Sequence, residues 1–287
     1  MRTEQQMMEL ILGYAQKDDR VRAVAMNGSR VNPGLPADHF QDYDIVYLVR
    51  EKDSFLQDPG WIDVFGPRII LQTPEDERFF RPSLGGWYSY LMLLADENRI
   101  DLTLIPIADL ERYCNSDSLI KVLLDKDGLF PPLPAPSDEK YRIKKPSREQ
   151  YIARCNEFWW LSTYVAKGLC RKKLLYATHY LHTGILEELL GMLSWQVGIQ
   201  NDFSFCAGKC YQHLPDYLDE QTNALLIGLY RQNGYAACWE ALFGACGLFC
   251  EASHFVARQL GYPLPQEEGP VAQYLKRIFL AYPPSDF

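Results

Sequence analysis

The stretch Val21–Val49, VRAVAMNGSRVNPGLPADHFQDYDIVYLV, decides how the rest of the chain is read. Two apolar runs, Arg22–Met26 and Asp44–Val49, have the length and composition of strands. Between them come a Gly28-Ser29 turn, a loop with Pro33, Gly34 and Pro36, and the pair Asp42 and Asp44. Strand side chains alternate between faces, so the two carboxylates project to one side. Like charges held that close repel unless a cation lies between them. A Gly-Ser turn lets a phosphate approach the backbone and offers it N–H and hydroxyl donors. Each half alone is ordinary turn chemistry. Together they supply the parts for metal-assisted phosphoryl or nucleotidyl transfer.

Working outward, Thr3 and Gln6 form a capping-box pattern that predicts a helix through about Gln16. Further strands are expected at Arg68–Gln72, Trp87–Leu94 and Arg99–Ile105, and helices at Ala108–Tyr113 and Leu119–Leu124. This mixture predicts an α/β or α+β domain. Asp101, near the head of RIDLTLIP, is placed to bring a third carboxylate on a neighbouring strand.

Leu129–Pro146 carries five prolines, which exclude helix interiors and central strands, so it reads as a linker. The expected domains are residues 1–135 and 136–287. Beyond the linker, strand signals fade. Helices are expected from Ser147 to Lys167 with Gly168 as C-cap, and from Lys172 to about Val197. Others are expected at Gln212–Tyr217, Glu220–Gln232, Ala236–Leu260 and Val271–Tyr282, together an α-helical bundle.

The apolar fraction of 47% suits packed cores, and no apolar run reaches bilayer length. The N-terminus lacks signal-peptide architecture, so a cytoplasmic location and reduced thiols for the eight cysteines are expected. The net charge of −8 argues against nucleic acid as partner. Of 37 acidic and 29 basic residues, 24 and 18 precede Pro146, so a phosphate-binding first half needs cations and suits a cationic second substrate. The sets Cys246, Cys250, His254 and Cys206, Cys210, His213 read as packing residues, because their spacing is wrong for zinc.

The Gly-Ser, loop, Asp-x-Asp pattern resembles the nucleotidyltransferase superfamily. NGSR (27–30), FQDYDI (40–45), RIDLTLIP (99–106), LIKVLLDKD (119–127), NEFWW (156–160), YVAKGLCRK (164–172), MLSWQVG (192–198) and WEALF (239–243) resemble the aminoglycoside 6-adenylyltransferases, in order along nearly the whole chain. The resemblance implies a nucleotidyltransferase domain with a mixed sheet followed by a helical substrate-binding domain. It implies transfer of AMP from ATP to an aminoglycoside hydroxyl, streptomycin first, by a monomer or homodimer. Mg²⁺ would sit on Asp42, Asp44 and Asp101, the last as ligand or as general base. Gly28, Ser29, Arg30 and Lys167 would face the nucleotide, and Glu157, Trp160, Tyr164 and His179 the acceptor. Around 177–190 the family pattern carries an Asp near His179 and an Arg near Leu186, which changes the charge expected at the acceptor. Two other readings remain at this stage: a different acceptor, and a non-catalytic nucleotide-binding regulator.

Overall fold

The computed structural model describes residues 1–76 and 84–284. The chain divides into two compact units, Met1–Lys140 and Tyr141–Phe287.

The first unit is a mixed α/β layer. Helix α1 (Glu4–Lys17) starts with the expected capping box, Thr3 and Gln6 each bonding the other's backbone N–H. Strands β1 (Val21–Met26) and β2 (Tyr43–Val49) follow, then the single turn α2 (Asp53–Leu56). Next come β3 (Arg68–Gln72), β4 (Tyr88–Leu94), β5 (Arg99–Pro106), α3 (Leu110–Ser116) and β6 (Lys121–Asp125). The sheet order is β3-β4-β5-β2-β1-β6. The β2–β5 pair is parallel and every other pairing antiparallel. One face packs on α1 through Met7, Ile11, Tyr47 and Trp61. The other packs on α3 through Val46, Leu48, Ile105 and Tyr113. Central strands β1 and β2 are therefore buried on both faces, which is why they read as nearly unbroken apolar runs.

In the first unit one element differs from expectation. Leu119–Leu124 was expected to be helical, yet Lys121–Asp125 pairs with β1 as an edge strand. A six-residue apolar run has no period long enough to separate helix from strand, and the open edge of β1 satisfies its backbone.

The second unit is helical: α4 (Arg148–Cys170), α5 (Leu174–Tyr180), α6 (Leu186–Gln200), α7 (Glu220–Gly228), α8 (Tyr235–Leu260) and α9 (Glu268–Ala281). Its core is built around Phe158, Trp159, Trp239 and Phe249. Helix α4 runs through Gly168 to an Arg171 cap. A Cβ at Gly168 would meet the Tyr176 ring at 2.8 Å and the Ala177 Cβ at 3.2 Å, so this glycine permits close packing of α5 instead of capping α4. The expected Lys172–Val197 helix is interrupted by a π segment at Leu181–Ile185. The region 212–217 contributes only a 3-10 turn, Leu214–Tyr217, and α7 stops at Gly228, short of Gln232. Among the described residues no helix is long and apolar enough to cross a membrane.

Candidate functional site

In the first unit the parallel register sets Asp44 directly beside Asp101. Neighbouring residues in register point to the same face, so both carboxylates emerge together. Asp42 precedes β2 by one residue. Arg99, two positions before Asp101 and hence on its face, donates from Nε and Nη2 to the two Asp101 oxygens, each at 2.9 Å. The Arg99 Nε also lies 3.5 Å from Asp42 Oδ2. One guanidinium thus joins two of the three acids.

Asp44 stands differently. Burial and the carboxylates of Asp101 and Asp42 push its pKa up to about 6, against the pull of Arg99. Asp117, absent from the sequence-derived set, adds to the same field. Among the described residues no side chain donates a hydrogen bond to the Asp44 carboxylate.

Gly28 sits against this carboxylate. Its φ of +74° favours glycine, and a Cβ there would lie 2.0 Å from Asp44 Oδ2. The Gly28-Ser29 turn opens the 3-10 turn Ser29–Val31. Among the described residues the Gly28 and Ser29 N–H groups donate to no protein acceptor, as suits an anion-facing turn. Asn27 fastens the turn to the sheet. Its N–H donates to the Asp44 carbonyl at 2.9 Å. Its side chain accepts from the Tyr113 hydroxyl at 2.6 Å and donates to Asp117 at 3.3 Å.

Arg30 is engaged within the first unit. Its Nε and Nη2 donate to the carbonyls of Asp42 and Gln41 at 3.1 and 2.8 Å, and its guanidinium lies 3.8 Å over the Tyr43 ring. It ties down the segment that carries Asp42. A planar guanidinium that both stacks and donates twice holds this segment in place.

The donors here are carboxylate oxygens, the chemistry that suits Mg²⁺. Among the described residues no three His, Cys, Asp or Glu side chains converge closely enough to hold a metal ion as they stand. Arg99 supplies the positive charge near Asp101 and Asp42 instead. Burial, and after it the carboxylates of Asp101 and Asp42, disfavour the charged form of Asp44; a divalent cation would favour it, so the residues fit such an ion.

In the second unit an aromatic row, exposed at Trp160 and Tyr176 and half-buried at Tyr164 and Tyr180, lies along α4 and α5. Trp160 is 57% exposed, and its indole N–H donates to the Tyr164 hydroxyl at 3.1 Å. Tyr164 packs edge-on to Tyr180, which packs on Tyr176 and His179. Lys167 Nζ lies 4.4 Å from the Tyr164 ring centroid and 6.0 Å from that of Tyr176. Among the described residues no carboxylate lies within ion-pair distance of it. Trp160, Tyr164, Lys167 and His179 therefore belong to one patch. Glu157 lines a separate open groove of about 390 Å³ with Arg154, Glu188 and Trp195. Burial raises the Glu188 pKa; Arg154 opposes this, while Glu157 and Glu187 add to it. All eight cysteines are outside disulfides, and His254 bonds Glu268 at 2.7 Å.

Arg99, Asp117 and Asn27 were not singled out as site residues from the sequence. The spacing of Arg99 and Asp101 at i and i+2 on a strand carried the signal for the first. Asp117 had none, because its approach to Asn27 spans 90 residues.

A family model described as "Streptomycin adenylyltransferase" matches residues 1–278. The chain is 42% identical over 280 residues to the aminoglycoside 6-adenylyltransferase of Bacillus subtilis, covering 97% of this chain and 99% of that one. It is 41% identical to the Campylobacter jejuni protein of the same name, over 96% of each. A crystal structure of an aminoglycoside 6-adenyltransferase from Bacillus subtilis aligns with a TM-score of 0.49 at 38% identity, covering 97% of this chain and 99% of that one.

Proposed function

Because the chain belongs to the streptomycin adenylyltransferase family, we propose that it transfers AMP from ATP to a hydroxyl of an aminoglycoside and releases pyrophosphate. The observation that carries this reading is the placement of Asp44 and Asp101 side by side, with Asp42 joined to Asp101 through Arg99, against a glycine turn where a Cβ would lie 2.0 Å from Asp44 Oδ2. Streptomycin is the acceptor we propose first, with Met1–Lys140 as the nucleotidyltransferase domain and Tyr141–Phe287 as the acceptor-binding domain.

Asp42 and Asp44 would hold Mg²⁺, with Asp101 beside them as ligand or as acceptor of the hydroxyl proton. The bound ion would neutralise charge on the phosphate oxygens as the bond to the α-phosphorus exchanges. The free N–H groups of Gly28 and Ser29 face phosphate, since backbone donors bind oxyanions without losing side-chain entropy. Arg30 and Asn27 act by position: one fixes the Asp42 segment, the other fixes the turn to β2. Lys167 is offered to an anion because ring faces hold it and no carboxylate neutralises it. Trp160, Tyr164 and His179 offer stacking surface to the acceptor, and Glu157 offers a carboxylate to its cationic groups.

Pyrophosphate release with Mg-ATP tests the reading across streptomycin, other aminoglycosides and no acceptor, alongside Asp44→Asn. Streptomycin-dependent release that the variant loses is the expected result. Release with another aminoglycoside alone would keep the chemistry and move the acceptor. ATP binding with no turnover on any acceptor would favour a nucleotide-binding regulator.

A further inference from the structure

We propose that Arg99 is a built-in counter-ion of the acidic site, holding Asp42 and Asp101 in the metal-free protein and yielding Asp42 when a divalent cation enters, so that it sets the site's cation affinity. The inference rests on the reading of Asp42 and Asp44 as the cation-holding pair.

The geometry is asymmetric. The two bonds to Asp101 are equal at 2.9 Å and form the parallel fork that guanidinium and carboxylate prefer. The approach to Asp42 is a single contact at 3.5 Å. The weaker contact is the one to be given up. The Arg99 side chain is 45% exposed, so solvent is available to receive its free edge. Arg99 is anchored on β5 and Asp42 just ahead of β2, so withdrawal from Asp42 breaks no strand pairing. An arriving cation gains the carboxylates of Asp42 and Asp44 but meets the charge of Arg99, which remains on Asp101. A fixed positive charge within about 4–6 Å of a cation site weakens binding on the order of tenfold or more, by analogy with the one-unit pKa shifts such charges produce. A purely structural arginine predicts the opposite: its loss would disorder Asp101 and weaken cation binding.

The test is Mn²⁺ binding to the full chain without nucleotide, with free Mn²⁺ counted by electron paramagnetic resonance. Wild type, Arg99→Gln, Arg99→Lys and Asp44→Asn are compared. The wild type is expected to bind Mn²⁺ and Asp44→Asn to lose it. Arg99→Gln is expected to bind roughly tenfold more tightly. Arg99→Lys keeps the charge and is expected to stay within about threefold of wild type, far from the tenfold scale of losing it. The metal-free melting temperature of Arg99→Gln is expected to fall at low ionic strength and to recover with saturating Mn²⁺. Arg99→Met keeps the aliphatic stem and serves if the Gln variant does not fold. Unchanged or weaker Mn²⁺ binding in a folded, charge-free variant, with the Asp44→Asn loss intact, would overturn the counter-ion role alone. Mn²⁺ binding by no protein in the set would remove the cation site itself, and the proposed function's metal with it.

Discussion

Asp44 and Gly28 form a pair whose properties cannot be separated. The carboxylate is pushed up to about 6 from 3.8 by burial and by its acidic neighbours. A raised carboxylate means the folded state holds an extra proton between about pH 4 and 6. That contribution to stability is complete below pH 4 and is lost as pH rises through 6. Asp44→Asn should therefore stabilise the metal-free protein at pH 7 by about 1–3 kcal/mol, with the gain vanishing below about pH 4. Urea titrations at pH 4 and pH 7 without metal check both the sign and the window. The same variant should lose turnover on the order of 10²–10³-fold, since it removes a charge that acts at the reacting phosphate. Gly28→Ala introduces a left-handed alanine and a methyl in contact with the Asp44 carboxylate. It should lower stability by about 2 kcal/mol and activity by roughly 10²-fold, read from melting temperature and initial rates.

At the scale of elements, the close approach of α5 to α4 is set by one missing side chain. Gly168→Ala places a Cβ 2.8 Å from the Tyr176 ring, and Tyr176 is one of the two rings that face Lys167. Overpacking of this kind costs about 1–3 kcal/mol. The variant should melt several degrees lower, and its KM for ATP should rise more than its kcat falls if Lys167 faces the nucleotide. An equal fall in both would detach Lys167 from that role. The capping box of α1, the strands β1 to β5 and the long helices α4 and α8 were legible because their signals are local. The strand β6 was not, because its partner β1 lies about a hundred residues earlier in the chain. Gly168 misled for a related reason: a glycine late in a helix reads equally as a cap or as a packing notch, and only α5 decides between them.

On the scale of the whole molecule, the two units have cores that share no residue, one around Met7, Tyr47 and Trp61, the other around Phe158, Trp239 and Phe249. A fragment spanning 141–287 should therefore fold alone. Helical circular dichroism, a cooperative melt and a near-ultraviolet signal from Trp159 and Trp239 would show it; a non-cooperative melt would sink the idea. The sequence by itself determined the acidic pair on one face, the phosphate-sized turn, the mixed α/β first half and the helical second half. Each follows from residue spacing and backbone preference within a short window. Tertiary structure alone decided that Asp101 stands beside Asp44 in parallel register, that Arg99 bridges Asp101 and Asp42, and that Arg30 donates to the carbonyls of Asp42 and Gln41. Those facts depend on which strands pair and on charges brought together from distant positions. Coulomb and hydrogen-bond energies act over a few ångströms in space, with no regard for separation along the chain.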